Sequence, residues 1–325
     1  MLEMLWGSIV VVFGGVTFGL VYKGIDRKLA ARMQARVGPP IVQPFRDIGK
    51  LLLKENIVPQ RAISWLFNSA PLVALAACVS ILLYLPIGGM GPVLSGYGDL
   101  ILVLYLLAVP AIAMAIGGFA SGSPYAIIGA QREVVMMMSY ELPLAVAIVT
   151  VAWRLSLAGI GEAFSLAAIS ANPIWGYLGP LGFIGLLLIV GVLFFVLPAE
   201  MSKIPFDIAE AKTELAEGVL AEYSGRNLAI FELADAVKMV AMGSLIIALF
   251  FPYKIGVVLG LEGAAAAFVS LIFFLIKLFL VILISITTVR VAAARLKVSQ
   301  VAYSFWIPLT LTSIAGLILV VLDAF

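Results

Sequence analysis

The sequence predicts an all-α, polytopic membrane protein, and three observations lead there. Of the 325 residues, 63% are hydrophobic and 12% are charged, which is more apolar surface than one soluble core of this length can hide. Apolar runs long enough to cross a hydrocarbon layer, about 20 residues each, recur along the whole chain. The polar residues that remain are gathered into segments between those runs, and most of the positive charge lies in alternate segments.

Eight spans can be marked in order, at about Leu5–Tyr22, Ser69–Pro86, Leu100–Phe119, Val134–Trp153, Tyr177–Pro198, Leu228–Phe251, Ala264–Val289 and Val301–Val321, and they read as one membrane domain over residues 1–325. An even number of spans puts both termini on one side. The segment after the first span carries Lys23, Arg27, Lys28, Arg32, Arg36, Arg46, Lys50, Lys54 and Arg61, and later loops of that side add Arg132, Lys203, Lys212, Arg226, Arg290, Arg295 and Lys297. The opposite loops carry Arg154 and Lys254. This asymmetry predicts basic loops in the cytoplasm and both termini outside. The first run is expected to stay as a span and not be cleaved as a signal, because Glu3 stands where basic residues belong.

Residues 24–62 are expected to form a cytoplasmic shelf. Ile25, Leu29, Met33 and Val37 recur every four residues, with Lys28, Arg32 and Arg36 one step out of phase. That pattern predicts an amphipathic helix in the headgroup region, ended by Gly38-Pro39-Pro40. A second short interfacial helix is expected around Asp47–Glu55, after Gln43-Pro44.

The acidic loop over residues 199–227 carries Asp207, Glu210, Glu214 and Glu217 three or four residues apart. In a helix these carboxylates would share an arc of about 80°, and like charges so placed cost roughly 0.2–0.5 kcal/mol per pair. Solvation, a basic partner surface or a need for proton-binding groups in a row could each offset that cost. Spacing alone leaves the three level.

Ionisable residues inside spans are costly, at about 2.5–3.5 kcal/mol on insertion scales, and mark function by default. Glu141 lies within span four beside Pro143 and is a candidate proton carrier. Span six carries Glu232, Asp235 and Lys238 at three-residue steps. Here two readings stay open: Asp235 and Lys238 pair along one helix, or they belong to an ion path. In the first reading Glu232 stays near the interface and Lys277, in span seven, finds a carboxylate across the bundle.

Composition also excludes chemistry. With no histidine and one cysteine, Cys78, the chain cannot by itself hold an iron–sulfur cluster, a haem or a nickel centre, and no metal site is expected. Cys78, inside an apolar run, reads as a small buried hydrophobe. Nucleic acid is not an expected partner, because no basic stripe lies on a soluble face.

Several stretches together carry a family resemblance. They are Asp26-Arg27-Lys28 through Gln34 and Arg36 to Gly38-Pro39; Gln43-Pro44 to Lys50-Leu51 and Lys54-Glu55; Ser123-Pro124-Tyr125-Ala126; Ser139-Tyr140-Glu141; Pro205-Phe206-Asp207 with Glu210, Glu214-Leu215 and Glu222-Tyr223; and Arg295 to Trp306 with Pro308. In this order the chain resembles the membrane subunit that joins redox and membrane arms in respiratory complex I, the H subunit or subunit one, and in related multisubunit membrane-bound [NiFe] hydrogenases. Gly38-Pro39-Pro40 running directly to Gln43-Pro44-Phe45, and Ser299-Gln300 near the end, look more like the hydrogenase branch and its archaeal sulfur-reducing relatives.

The resemblance implies an eight-helix anchor subunit without redox cofactors of its own. Iron–sulfur clusters, and in a hydrogenase a NiFe centre, would sit in partners: the iron–sulfur and large catalytic subunits of a peripheral arm. Antiporter-like membrane subunits would be further partners. It also implies that Glu141, Asp207, Glu210, Glu214, Glu222 and Asp235 match acidic positions of the family's E-channel. With Glu217 and Lys238 these make the expected proton path, although Glu217 falls where many quinone-type members have a small residue. Arg27, Gln34 and Arg36 match positions at the entrance of the family's quinone chamber, and with Arg32 and Lys50 they form the expected docking surface for the redox arm. The expected function is coupling of electron transfer to H+ or Na+ translocation. The alternatives are a quinone-binding subunit of an NADH or ferredoxin:quinone oxidoreductase and, from another class, a stand-alone cation/proton transporter.

Overall fold

The computed structural model describes residues 2–94 and 96–324; the side chain of Glu3 lies outside the described residues. The helices run in the order α1 (Leu2–Met33), α2 (Gln43–Leu53), α3 (Ser64–Tyr84), α4 (Leu100–Ala120), α5 (Pro124–Leu157), α6 (Leu166–Ala171), α7 (Pro180–Glu200), α8 (Lys212–Leu215), α9 (Gly225–Phe250), α10 (Ile255–Val258), α11 (Gly263–Ile282), α12 (Thr288–Ala292), α13 (Val298–Ser304) and α14 (Thr310–Leu322). Two five-residue π-helical segments, Leu283–Thr287 and Phe305–Leu309, join α11 to α12 and α13 to α14. Among the described residues eight helices are long and apolar enough to cross a membrane. Each apolar run is helical because hydrocarbon offers the backbone no water to bond, and a helix satisfies its N–H and C=O groups internally.

The spans sit where hydropathy puts them, but α1 and α5 run well past the predicted ends at Tyr22 and Val134. The extra turns carry Lys23, Asp26 and Glu133, all buried in the bundle. Those side chains face inward to partners, so the helix has no reason to stop at the first charge.

The expected separate amphipathic helix over residues 25–37 is therefore corrected. Up to Met33 it is the continuation of α1, and Ala35 then turns the chain with a left-handed φ of 56°. Its apolar stripe is not buried as a unit, because Val37 is fully exposed. The following segment folds back against α1, where a Cβ on Gly24 would lie 2.1 Å from the Ile41 carbonyl oxygen. The second interfacial helix forms as α2, starting at Gln43-Pro44.

In the acidic loop the condition for a shared face, a continuous helix, is not met. The loop is not one helix but a run of turns with the four-residue α8 inside it. Ser202, Ala216 and Glu217 have left-handed φ values of 46°, 48° and 77°, and Gly218 follows with a φ of 54°, where a Cβ would lie 1.9 Å from the Ala209 carbonyl oxygen. The four carboxylates therefore point in different directions, and the like-charge cost of a shared helical face does not arise.

The bundle is organised about α9, whose most apolar 18-residue window is 89% buried, against 28% for α1. The outer helices present Trp6, Phe13, Leu72, Phe183, Leu187 and Trp306 outward, as a chain solvated by lipid requires. Helices α7 and α14 cross where Gly185 faces Gly316: a Cβ on Gly185 would lie 2.5 Å from the Gly316 carbonyl oxygen. Their far ends are tied by Asp323, which accepts from the Gly179 N–H at 2.6 Å. In the α11–α12 span the π segment brings Ser285 and Thr287 inward together, one donating to the Phe194 carbonyl at 2.6 Å and the other to Asp26 at 2.8 Å.

Gly185→Val should force α7 and α14 apart and lower stability by about 1–3 kcal/mol, read as a lower unfolding midpoint of the detergent-solubilised protein; Gly191→Val, where a Cβ meets nothing within 4 Å, serves as the control with little change.

Candidate functional site

The charges that α9 carries into the bundle define the site. Glu232, Asp235 and Lys238 lie along one side of α9 because steps of three residues stay close to one helical turn. They do not pair with each other. Asp235 accepts from Lys23 of α1 at 2.7 Å and from Lys203 of the acidic loop at 2.9 Å. Glu232 accepts from Lys23 at 2.6 Å. Lys238 is bound to Glu200 at the end of α7, 2.7 Å from its Oε1 and 2.8 Å from its backbone oxygen. Lys277 finds no carboxylate across the bundle either: it donates to the Phe251 and Tyr253 carbonyls at 2.7 and 3.0 Å.

Beyond Lys238 the row ends at Glu133 of α5, 2% exposed, with the Ser202 hydroxyl 3.4 Å from its Oε2. An inner cavity of about 60 Å³ is lined by Glu133, Glu200, Ser202, Lys203, Glu210, Asp235 and Lys238, among others. An outer basin of about 360 Å³ shares Ser202, Lys203, Glu210 and Glu232 with it and adds Asp207, Arg290 and Arg295. The two form a polar route from the loop surface into the bundle.

Glu210 stands at the junction. Burial raises its carboxyl from the ordinary 4.5 to about 7, against the pull of the Lys203 ammonium. Burial would lower Lys203, but the Asp235 and Glu210 carboxylates outweigh it and hold that ammonium well above its usual range. A carboxyl poised near neutrality beside an ammonium can load and release a proton at working pH.

Of the residues expected in a proton path, the fold brings Asp235, Lys238 and Glu210 to these two cavities, with Asp207 on the rim of the outer one. Asp207 is held by Arg295 in a forked pair, 2.8 Å from Nε and 2.5 Å from Nη2. Glu214 turns away to Arg132 at 2.5 Å, whose hydrogen bond holds its carboxyl below the usual range. Glu217 pairs with Lys212 at 2.8 Å on the exposed surface. Glu141 is half-buried on α5, two turns beyond Glu133, and Glu222 is partly exposed before α9; neither lines the two cavities.

Of the residues expected for docking, Arg27, Gln34 and Arg36 share a third cavity of about 380 Å³ with Gly38, Pro39 and Arg290. Arg36 donates to Gln34 and Arg27 pairs with Asp47 at 3.0 Å, while Arg32 and Lys50 are exposed. Sequence reasoning missed Glu133, Glu200, Lys23 and Lys203 as members of the site. The available signal was that each lies at the edge of an apolar run, where hydropathy treats it as an interface anchor. Among the described residues no group of three or more His, Cys, Asp or Glu is placed to hold a metal ion.

Eight spanning helices around a buried row of alternating carboxylates and lysines define a multi-pass membrane protein that keeps protonatable groups in its interior. The chain belongs to the NADH dehydrogenase family, whose sequence model matches residues 7–321. It is 34% identical over 296 residues to hydrogenase-4 component C of Escherichia coli strain K12, covering 91% of this chain and 89% of that protein. It is 32% identical over 305 residues to the H subunit of the NADH-quinone oxidoreductase of Leptospira biflexa serovar Patoc, covering 85% of this chain and 83% of that one. Among solved structures, a chain of the membrane-bound sulfane sulfur reductase, an archaeal respiratory membrane complex, superposes with a TM-score of 0.84 at 30% identity, covering 98% of this chain and 99% of that one.

Two outcomes are expected from this geometry. Lys238→Met strands the buried Glu200 carboxylate and should cost about 3–5 kcal/mol, much of it restored by adding Glu200→Gln, measured as unfolding midpoints of the three variants. The native state keeps the Glu210 proton up to about pH 7, whereas at its ordinary value of 4.5 the unfolded chain has released it. The native state therefore holds the extra proton across that interval, and the stability tied to Glu210 falls as pH rises through it. Glu210→Gln should flatten that part of a stability–pH profile.

Proposed function

We propose that this chain is the membrane anchor subunit of an energy-converting redox complex of the hydrogenase or sulfur-reductase type, coupling electron transfer in an attached arm to H+ or Na+ translocation. The observation that carries the reading is the continuous row from the outer basin through Glu210, Lys203 and Asp235 to Lys238, Glu200 and Glu133. A bundle that needed only stability would be better served by apolar residues at these positions, since a buried ion pair is often no more stabilising than the hydrophobic groups it displaces. The names of its relatives supply the redox context: a hydrogenase component, a quinone oxidoreductase subunit and a sulfur reductase chain.

On this reading the iron–sulfur clusters, and a NiFe centre in a hydrogenase, belong to the partner subunits that dock on the basic side of the bundle, and antiporter-like subunits lie beside it in the membrane. That side faces the cytoplasm and both termini face out. Redox events in the docked arm shift charge near the outer basin, Glu210 responds by taking up or losing a proton, and the change passes along the ion pairs to Glu133. Glu141 and Asp207 extend the same path deeper into the membrane and toward the surface. Glu214, Glu217 and Glu222 stay at its outer margin.

A second reading, a quinone-binding subunit, draws on the cavity of about 380 Å³ beside Arg27, Gln34 and Arg36, whose guanidinium and amide donors suit a carbonyl-bearing ring.

The test is to capture the intact complex through a tag on this chain, identify what co-purifies, and measure nickel, iron and ions moved per electron. Iron–sulfur partners and pumping lowered by Glu200→Gln are the expected outcome. A chain that transports ions alone after purification, or pumping indifferent to Glu200→Gln, overturns it. Inhibition of turnover by a quinone-site inhibitor favours the second reading.

A further inference from the structure

Lys203 differs from the other lysines of the row in how it is held. Lys23 and Lys238 sit on long helices, 7% and 6% exposed, whereas Lys203 is carried by the loop after α7, just beyond Ser202 with its left-handed φ of 46°. It lines both the inner cavity and the outer basin, so its side chain stands in the neck between them. Its partner is shared: the same Asp235 oxygen, Oδ2, accepts from Lys23 and from Lys203. Losing the sole partner of a buried charge is strongly destabilising, but a carboxylate that keeps one of two ammoniums escapes most of that penalty. Glu210, on the same loop and in the same neck, has no ion pair among the described residues, and it acts electrostatically on Lys203.

We propose that Lys203 is a movable counter-ion with two stations, Asp235 and Glu210, which couples the protonation of Glu210 to the opening of the neck. The inference rests on the proposed path and names its regulation. With Glu210 protonated, Lys203 stays on Asp235, as observed. When Glu210 releases its proton to the outer basin, the new carboxylate draws the ammonium across; Lys23 holds Asp235, and the neck toward Glu133 changes shape. One O–H bond breaks at Glu210, the proton leaves to water, and no electron moves. The charged groups facing Glu210 are Lys203 and Lys212 from its own loop, Glu133 from α5, Glu200 from the end of α7, and Glu232, Asp235 and Lys238 from α9; around the outer basin stand Lys23, Asp26 and Arg27 of α1, Asp207 of the same loop, Arg290 of α12 and Arg295 after it. Asp207 is taken up by Arg295 and Asp26 by Arg290, the remaining facing carboxylates belong to helices, and Lys203 is the loop-borne cation that lines both cavities. Lys203 is a positioning residue on this account, acting through Glu210.

The experiment reads ions moved per electron against pH in the intact complex reconstituted into vesicles. In Lys203→Met the midpoint of the profile should move to higher pH by about one unit, a tenfold change in proton affinity at Glu210, and the double variant with Glu210→Gln should match Glu210→Gln alone. A purely structural Lys203 would lower assembly without moving the midpoint. An unchanged midpoint, together with pumping that Glu210→Gln does lower, overturns the switch and leaves the path standing. Pumping indifferent to Glu210→Gln overturns both. Should Lys203→Met fail to assemble, Lys203→Arg decides: a forked guanidinium locks onto Asp235 and should slow pumping about tenfold in the assembled complex, and pumping at the wild-type rate overturns the proposal.

Discussion

A charge carried into a low-dielectric interior must meet an opposite charge or a set of dipoles there, and nearly every local feature of this bundle answers that requirement at α9. Because most of α9 is enclosed by other helices, the buried Lys238 cannot reach lipid headgroups by snorkelling, and Glu232 and Asp235 are only partly exposed, Glu232 at the outer basin. Their partners come from three separate parts of the chain: Lys23 from an extended α1, Lys203 from a loop, and Glu200 from the last residue of α7. The length of α1, the turns after α7 and the depth of the inner cavity follow from bringing those groups together.

The same constraint explains the break-up of the acidic loop. A continuous helix would set Asp207, Glu210, Glu214 and Glu217 side by side in water, with nothing to gain from the bundle. Left-handed turns at Ser202, Ala216 and Glu217 instead send Asp207 to Arg295, Glu214 to Arg132 and Glu217 to Lys212, leaving Glu210 alone to face inward. Division of labour among four similar side chains thus arises from backbone geometry. It also isolates the one carboxyl of the loop whose protonation can change near neutral pH without breaking a salt bridge.

Around this interior, a second set of pairs fixes the surface from which it is reached. Asp26 is bound by Thr287 and Arg290, and the π segment of the seventh span is what aims Thr287 at it. Arg27 reaches Asp47 on α2. These contacts tie α1, α2 and the end of the seventh span into a rim around the outer basin, so a partner that pressed on the rim would press on the groups that line the basin.

Hydropathy and helix period, which depend on near neighbours in sequence, determined the class of the protein by themselves: eight apolar runs demand eight helices, and the basic loops cluster on alternate connections. They also located Glu141, Asp235 and Lys238 as polar residues within spans, and the motifs around Pro205 and Gly38 carried the family. Tertiary structure decided the rest. That Lys238 would choose Glu200 over Asp235 one turn away, that Glu133 and Lys23 would be interior residues and not anchors, and that Glu210 would separate from Glu214 all depend on contacts between segments far apart in the chain. Pairing in a membrane interior is settled by which helix lies against which, and no local period in the sequence encodes that distance.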